Sequence, residues 1–248
     1  MKYSFTALLP AGVRKIPPLV ISAALLLTYG GRHASAANDR VISTFSTSVA
    51  MQDADVRANI ALAASRLNGT VIHPGSTFSF NETVGEASAA GGYRSGRVLY
   101  ADTVAYEPGG GVCQVSSTLF NALLLAGCTI IERHRHNQPV RYVAPGLDAT
   151  IRYGKKDLRM KNPHSFPVSI FTEVNESTLN IFIRAAVNPQ CVYEVYTEEE
   201  EVNLPFAEDE GRRIRPGLTI YVYRKKTVKG VSESALLYRD FFPPAYID

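Results

Sequence analysis

The chain has 248 residues, 46% of them hydrophobic and 20% charged, with a formal charge of +3. That balance suits one large globular domain, or a domain with a small appendage, and excludes general disorder. Lys2, Arg14, Lys15 and Arg32 lie in the first 36 residues with no acid among them. Removing those four charges takes +3 to −1 for the remaining 212 residues, so nucleic acid loses its electrostatic basis as a partner.

Residues 1–36 read as an export signal. A positive stretch precedes an apolar run at 16–29, and Ala34-Ser35-Ala36 is a small-residue cleavage site, with the cut expected after Ala36. The apolar run is 14 residues, short of the roughly 20 that a spanning helix needs. Pro17 and Pro18 interrupt it as a helix. The expected mature protein is exported, to the cell envelope or beyond, with no membrane span; an uncleaved anchor is the alternative.

Alternating apolar and hydroxyl side chains over 41–52 predict a strand. Asp53 then caps a helix over 54–67, with Val56, Ile60, Leu62, Ala63 and Leu67 inward. Asn68-Gly69 turns the chain into a short strand at 70–73, and Pro74-Gly75 turns it again before a strand at 77–80. Residues 81–97, rich in Gly, Ala and Ser, read as an irregular loop. The segment Tyr106-Glu-Pro-Gly-Gly-Gly-Val-Cys-Gln114 runs into a helix over 115–126, which Gly127 caps. Strands follow at 129–133, 148–153, 158–161, 168–174 and 179–183, with a proline-containing connection at 137–145. Beyond 190, the acidic run at 198–201 reads as solvated, and 218–223 with the last stretch as a hairpin. The expectation is an α+β fold in which a central helix packs on an antiparallel sheet. Residues 37–189 form the main domain and 190–248 a C-terminal β extension of it.

The chemistry centres on Cys113, where the glycine-rich turn meets the helix. The partial positive charge and free N–H groups of a helix N-terminus favour the thiolate. They can bring a thiol from about 8.5 down to about 3.5–7.5. The bland alternative is a small buried packing residue. A cysteine nucleophile needs a base and a group that orients it. His134 and His136, two apart in an expected strand, face one side, and Asp148 can reach either ring. Cys on a helix with His and then Asp on strands is the layout of papain-like and transglutaminase-like acyltransferases. Gly110 and Gly111 let backbone approach a substrate, and the N–H of Cys113 or Gln114 can face an oxyanion. Ser116 and Ser117, in the first turn, are expected to bond the backbone, with Ser116 on the substrate side. Tyr93 and Arg94 suit a substrate carboxylate, and Glu107 an amine. His134, His136 and Asp148 as zinc ligands is the competing reading, but no HExxH or further histidine cluster accompanies them, so neither metal nor cofactor is expected. Cys128 and Cys191 can pair or stay reduced.

Three blocks carry a family resemblance: Gly109-Gly-Gly-Val-Cys-Gln-Val-Ser-Ser-Thr-Leu-Phe-Asn121, Glu132-Arg-His-Arg-His136 and Gly146-Leu-Asp-Ala-Thr150. Lys156-Asp-Leu158 and Pro74-Gly-Ser-Thr-Phe-Ser-Phe-Asn81 accompany them. In these the chain resembles VanW-domain proteins, from about Ser43 to Ile183. The resemblance implies a role linked to vancomycin resistance and, through a cysteine, L,D-transpeptidation of peptidoglycan stem peptides. On that implication Cys113 is the nucleophile and His136 or His134 its partner. A non-catalytic envelope protein that binds stem peptides or glycopeptides in the same cleft is the rival reading.

Overall fold

The computed structural model describes Ile21–Ser22 and residues 39–100, 103–187, 189–202 and 213–247. The expected export signal lies outside these residues, apart from Ile21–Ser22. Among the described residues no helix is long and apolar enough to cross a membrane.

The elements in chain order are β1 (Ile21–Ser22), β2 (Arg40–Ser48), α1 (Ala54–Leu67), β3 (Val71–Ile72), β4 (Thr77–Ser79), α2 (Phe80–Val84), β5 (Ser95–Tyr100), β6 (Thr103–Pro108) and α3 (Val112–Leu125). Then come β7 (Thr129–Glu132), β8 (Arg159–Lys161), β9 (Val168–Val174), β10 (Thr178–Ala185), β11 (Cys191–Val202), β12 (Arg213–Arg215), β13 (Gly217–Val228), β14 (Val231–Phe242) and β15 (Ala245–Ile247). The strands pair antiparallel, in the orders β2-β10-β9-β3, β4-β8-β7, β5-β6, β12-β15 and β1-β11-β13-β14. The fold is α+β.

Helix α3 is the centre of the core. It packs on β2 and β10 on one side, α1 on another, and β11 of the C-terminal sheet on a third. Every residue from Gln114 to Leu125 is buried, so its polar side chains must find partners inside the protein. Four of them, Gln114, Ser117, Thr118 and Asn121, do so in two rows at helical spacing. Gln114 donates to Thr47 Oγ1 and the Ser48 carbonyl and accepts from Gln52, and Thr118 bonds Thr47 at 2.9 Å. That row fastens the helix to β2. Ser117 and Asn121 form the other: Ala149 N–H donates to Ser117 Oγ at 2.9 Å, and Asn121 donates to the Leu147 carbonyl at 2.7 Å. The second row ends at Cys113, one turn earlier.

This second row explains a departure from the sequence expectation. Residues 148–153 form no strand beyond an isolated Arg152–Lys156 bridge. Their backbone is already engaged, Ala149 with α3 and Thr150 N–H with the His134 carbonyl at 2.8 Å. The expected loop at 81–97 is also partly ordered. Ser79 caps α2 by accepting from Glu82 N–H at 3.1 Å, the start of a capping box, and Ser95 opens the β5–β6 hairpin. Likewise, the acidic run at 198–201 lies within β11, where Glu200 accepts from the Tyr221 hydroxyl at 2.9 Å.

The triple glycine is a packing device. A Cβ on Gly110 would lie 2.6 Å from the Gly96 carbonyl carbon and 2.8 Å from Arg97 O. Gly111 has φ of 100° and presses on Ile60 and Val56 of α1. Backbone meets backbone here, so relief requires moving the β5–β6 hairpin. Replacing Gly110 with Ala is expected to cost about 1–3 kcal/mol, read as a lower urea midpoint; unchanged stability would show that the hairpin is free to move.

Candidate functional site

Cys113 sits in the first turn of α3, partly exposed. Its Sγ lies 3.5 Å from Thr150 Oγ1 and 3.7 Å from the Ile151 carbonyl oxygen. Both neighbours belong to the segment that Ser117 and Asn121 hold against the helix. His136 approaches from the stretch after β7. Its Nδ1 is 2.5 Å from Asp148 Oδ2, and its backbone N–H donates to the same oxygen at 2.7 Å. With Nδ1 so occupied, Nε2 is the nitrogen left free for the thiol, and the ring acts on Cys113 by hydrogen bond and charge. Asp148 is 2% exposed and also accepts from Arg133 Nη2 at 3.0 Å. Cys113, His136 and Asp148 thus form one chain of contacts.

The electrostatics follow from that chain. Burial alone would raise the Cys113 thiol, but the hydrogen bond and charge of His136, with contributions from Ile151 and Thr150, hold it below its ordinary value. Burial alone would lower His136, yet its bonds to Asp148 and Cys113 raise it to about 9. Asp148 is also buried, but the His136 hydrogen bond and the Arg133 charge keep its carboxyl below 3.8. Each group thus favours the charged form of the other, thiolate beside imidazolium, the reactive form of a cysteine nucleophile.

His134 is placed apart. The strand ends at Glu132, so the two imidazoles do not share a face. His134 Nε2 pairs with Glu132 Oε1 at 2.9 Å, and that oxygen also accepts from Asp157 N–H. Several residues expected on the substrate side have protein partners instead. Gln114 is buried against β2, and its N–H donates to the Gly111 carbonyl at 3.0 Å, which leaves Cys113 N–H as the candidate oxyanion donor. Ser116 is fully buried and its Oγ has no hydrogen-bond partner. Gly110 and Gly111 face β5 and α1. Arg94 pairs with Asp55 at 3.0 Å on the surface. Tyr93 is buried with Arg66 over its ring at 5.0 Å. Glu107 is on the exposed side of β6. No group of three metal-ligating side chains occurs among the described residues.

Tyr142, which no sequence signal marked, completes the site. Its ring stands edge-on to His136 at a centroid distance of 6.4 Å. Its hydroxyl is buried and, among the described residues, meets no hydrogen-bonding geometry; Ser117 Oγ is its polar neighbour, itself engaged with Cys113 O and Ala149 N–H. Burial and the Cys113 charge push the phenol well above its ordinary value, so it stays a proton donor.

A Cys-His-Asp chain at a helix mouth defines the class of a thiolate-bearing site, and comparison of the sequence narrows it. A family model described as VanW like protein matches residues 56–184, and the chain belongs to that family. Over 112 residues it is 43% identical to the uncharacterized protein YoaR of Bacillus subtilis (strain 168), covering 45% of this chain and 37% of that protein. Over 142 residues it is 33% identical to the vancomycin B-type resistance protein VanW of Enterococcus faecalis (strain ATCC 700802 / V583), covering 55% of this chain and 52% of that protein. The chain therefore spans about half or less of these relatives' length. No solved structure matches it.

The three cysteines are free and make an internal comparison. Cys128 is fully buried, and burial pushes it up to about 12. At pH 7, iodoacetamide is expected to label Cys113 at least about 100-fold faster than Cys128. His136→Ala should slow labelling of Cys113 by roughly tenfold or more, while His134→Ala leaves it unchanged. Equal effects of the two substitutions, read by peptide mass spectrometry, would overturn the assignment of His136 as the partner.

Proposed function

We propose that the protein is an exported cysteine acyltransferase that acts on peptidoglycan stem peptides, of the L,D-transpeptidase type. The observation that carries this reading is the His136–Asp148 pair, 2.5 Å apart, beside a Cys113 thiol that His136 holds below its ordinary value at the N-terminus of α3. A helix-borne Cys followed in the chain by His and then by a side chain that orients the ring is the order of papain-like and transglutaminase-like acyltransferases, an analogy of layout. The printed name of one relative, a vancomycin B-type resistance protein, agrees with a task at the cell wall. The reading of residues 1–36 as an export signal agrees with a substrate outside the cytoplasm, where stem peptides are found.

In this mechanism the Cys113 thiolate attacks the carbonyl carbon of an L-centre joined to a terminal D-residue. The S–C bond forms, the negative charge passes to the carbonyl oxygen, and Cys113 N–H and the Tyr142 hydroxyl donate to it. One such donor is worth about 2.7–4 kcal/mol in well-studied sites. The C–N bond then breaks as His136 Nε2 gives its proton to the leaving amine, and the D-residue departs. The amine of a neighbouring stem attacks the thioester, His136 takes the proton, and Cys113 leaves as thiolate. Asp148 holds the ring in orientation throughout. Water in place of the amine turns transfer into hydrolysis.

Incubation with tetrapeptide-bearing muropeptides is expected to add to the protein a mass equal to the muropeptide less the free terminal amino acid it releases. Cys113→Ala should abolish that adduct in intact-mass spectra with its unfolding midpoint retained. Tyr142→Phe should slow adduct formation by about 100-fold. A wild-type Cys113 that alkylates readily yet never acquires the adduct, with wall cross-links unchanged in Cys113→Ala cells, would make the protein a stem-peptide binder.

A further inference from the structure

Arg133 joins two parts of the molecule that are distant in sequence. It follows β7 and is buried, with 5% of its side chain exposed. Toward the candidate site, Nη2 donates to Asp148 Oδ1 at 3.0 Å and Nε to the Asp148 carbonyl at 2.7 Å. On its other side, Nη1 donates to both oxygens of Asp240, at 2.8 and 2.7 Å. Asp240 lies on β14, 107 residues later in the chain and beyond residues 56–184 that the family model matches. The same strand supplies Tyr238. Its ring lies 4.6 Å from the guanidinium, and its hydroxyl donates to the Gly146 carbonyl at 2.6 Å, two residues before Asp148.

We propose that Asp240 is a positioning residue for the candidate site: from the C-terminal sheet it holds Arg133, and through Arg133 it fixes Asp148 and sets the charge balance around Cys113 and His136. This rests on the reading of Cys113 as a nucleophile. A guanidinium shared between two buried carboxylates has a counter-charge on each side, and with Nη1 on both oxygens of Asp240 and Nη2 and Nε on Asp148 its rotation is restricted. The charged and titratable groups around it are Asp148 and Arg135 on the stretches beside His136, Tyr142 from the connection at 137–145, Tyr238 and Asp240 from β14, and Cys113 from α3. Burial pushes both tyrosines up, so they stay neutral. Arg135 donates to the carbonyls of His136 and Asn137 and lies over the Phe242 ring of β14 at 4.7 Å, where its charge also acts on Asp240. Deleting the Asp240 charge therefore leaves Arg133 with one counter-charge, Asp148, and makes the potential at the site more positive. A more positive site favours thiolate over thiol and neutral imidazole over imidazolium. Both groups then titrate at lower pH. A merely structural brace would alter stability and leave those midpoints where they are.

The test is the pH dependence of iodoacetamide labelling at Cys113, measured on the full chain, which needs no substrate. Asp240→Asn keeps the shape and one acceptor oxygen for Arg133 while removing the charge. Its Cys113 midpoint is expected to fall by about 0.5–1 pH unit, roughly three- to tenfold more thiolate on the acid side. Tyr238→Phe removes the bond to Gly146 without changing charge and is expected to leave the midpoint in place. If the amide variant does not fold, Asp240→Ser, which admits water beside Arg133, is measured in the same way. An unmoved midpoint in the folded Asp240 variant, or an equal shift in Tyr238→Phe, overturns the proposal. The two readings fail separately. A wild-type protein without a muropeptide adduct removes the transpeptidase activity but leaves the Asp240 shift to be seen. An adduct-forming protein with no shift removes Asp240 alone.

Discussion

Asp148 is the group on which the site's geometry hangs. It is buried, and an isolated carboxylate there would be driven to protonate. It stays charged because three donors converge on it: the His136 ring, the His136 backbone N–H and Arg133. Each donor is thereby fixed as well. The ring cannot turn without giving up Asp148, so Nε2 is aimed at the thiol before any ligand arrives. Removing one partner from such a buried pair commonly costs about 3–5 kcal/mol, because the remaining charge is left without compensation. The site and the fold are coupled through that penalty.

Helix α3 supplies the other half of the geometry. Its N-terminus carries Cys113, where the helix dipole adds to the pull of His136 on the thiolate. Its opposite end is met by groups from elsewhere: Arg224 of β13 donates to the Leu124 carbonyl at 3.5 Å, and His164 Nε2 lies 2.8 Å from the Ala126 carbonyl. Between the ends, the Gln114–Thr118 row ties the helix to β2, and the Ser117–Asn121 row holds the segment 147–150 in place. A helix buried on every side would ordinarily be apolar throughout. Its hydroxyls and amides act here as short struts that keep sheet, helix and the Asp148 segment at fixed spacing.

Much of this was legible from residues alone. The boundaries of α1 agree with the expected 54–67, because apolar positions three and four apart leave little choice of period. The cysteine at a glycine-to-helix junction was visible for the same local reason, as was the order Cys, His, Asp. The roles of the glycines were not. A triple glycine before a reactive residue suggests room for substrate, yet the space beside Gly110 is taken by the Gly96 backbone. The β5–β6 hairpin that takes it was hidden behind a Gly- and Ala-rich composition. The strand expected at 148–153 was lost to side chains of α3, which are far away in sequence.

The amino-acid sequence by itself determined the two long helices, most of the antiparallel strands, the family and the thiol at the mouth of α3, since each rests on local spacing or on a contiguous block of residues. Which histidine faces that thiol was decided only by tertiary structure. The strand stops at Glu132, and the chain beyond it follows the hydrogen bonds of Asp148 rather than a pleat, so neighbours that alternate in sequence part company in space. Tyr142 and Asp240 belong to the same class. Their places depend on contacts across tens to a hundred residues, and no periodicity along the chain encodes a contact that only the folded core brings together.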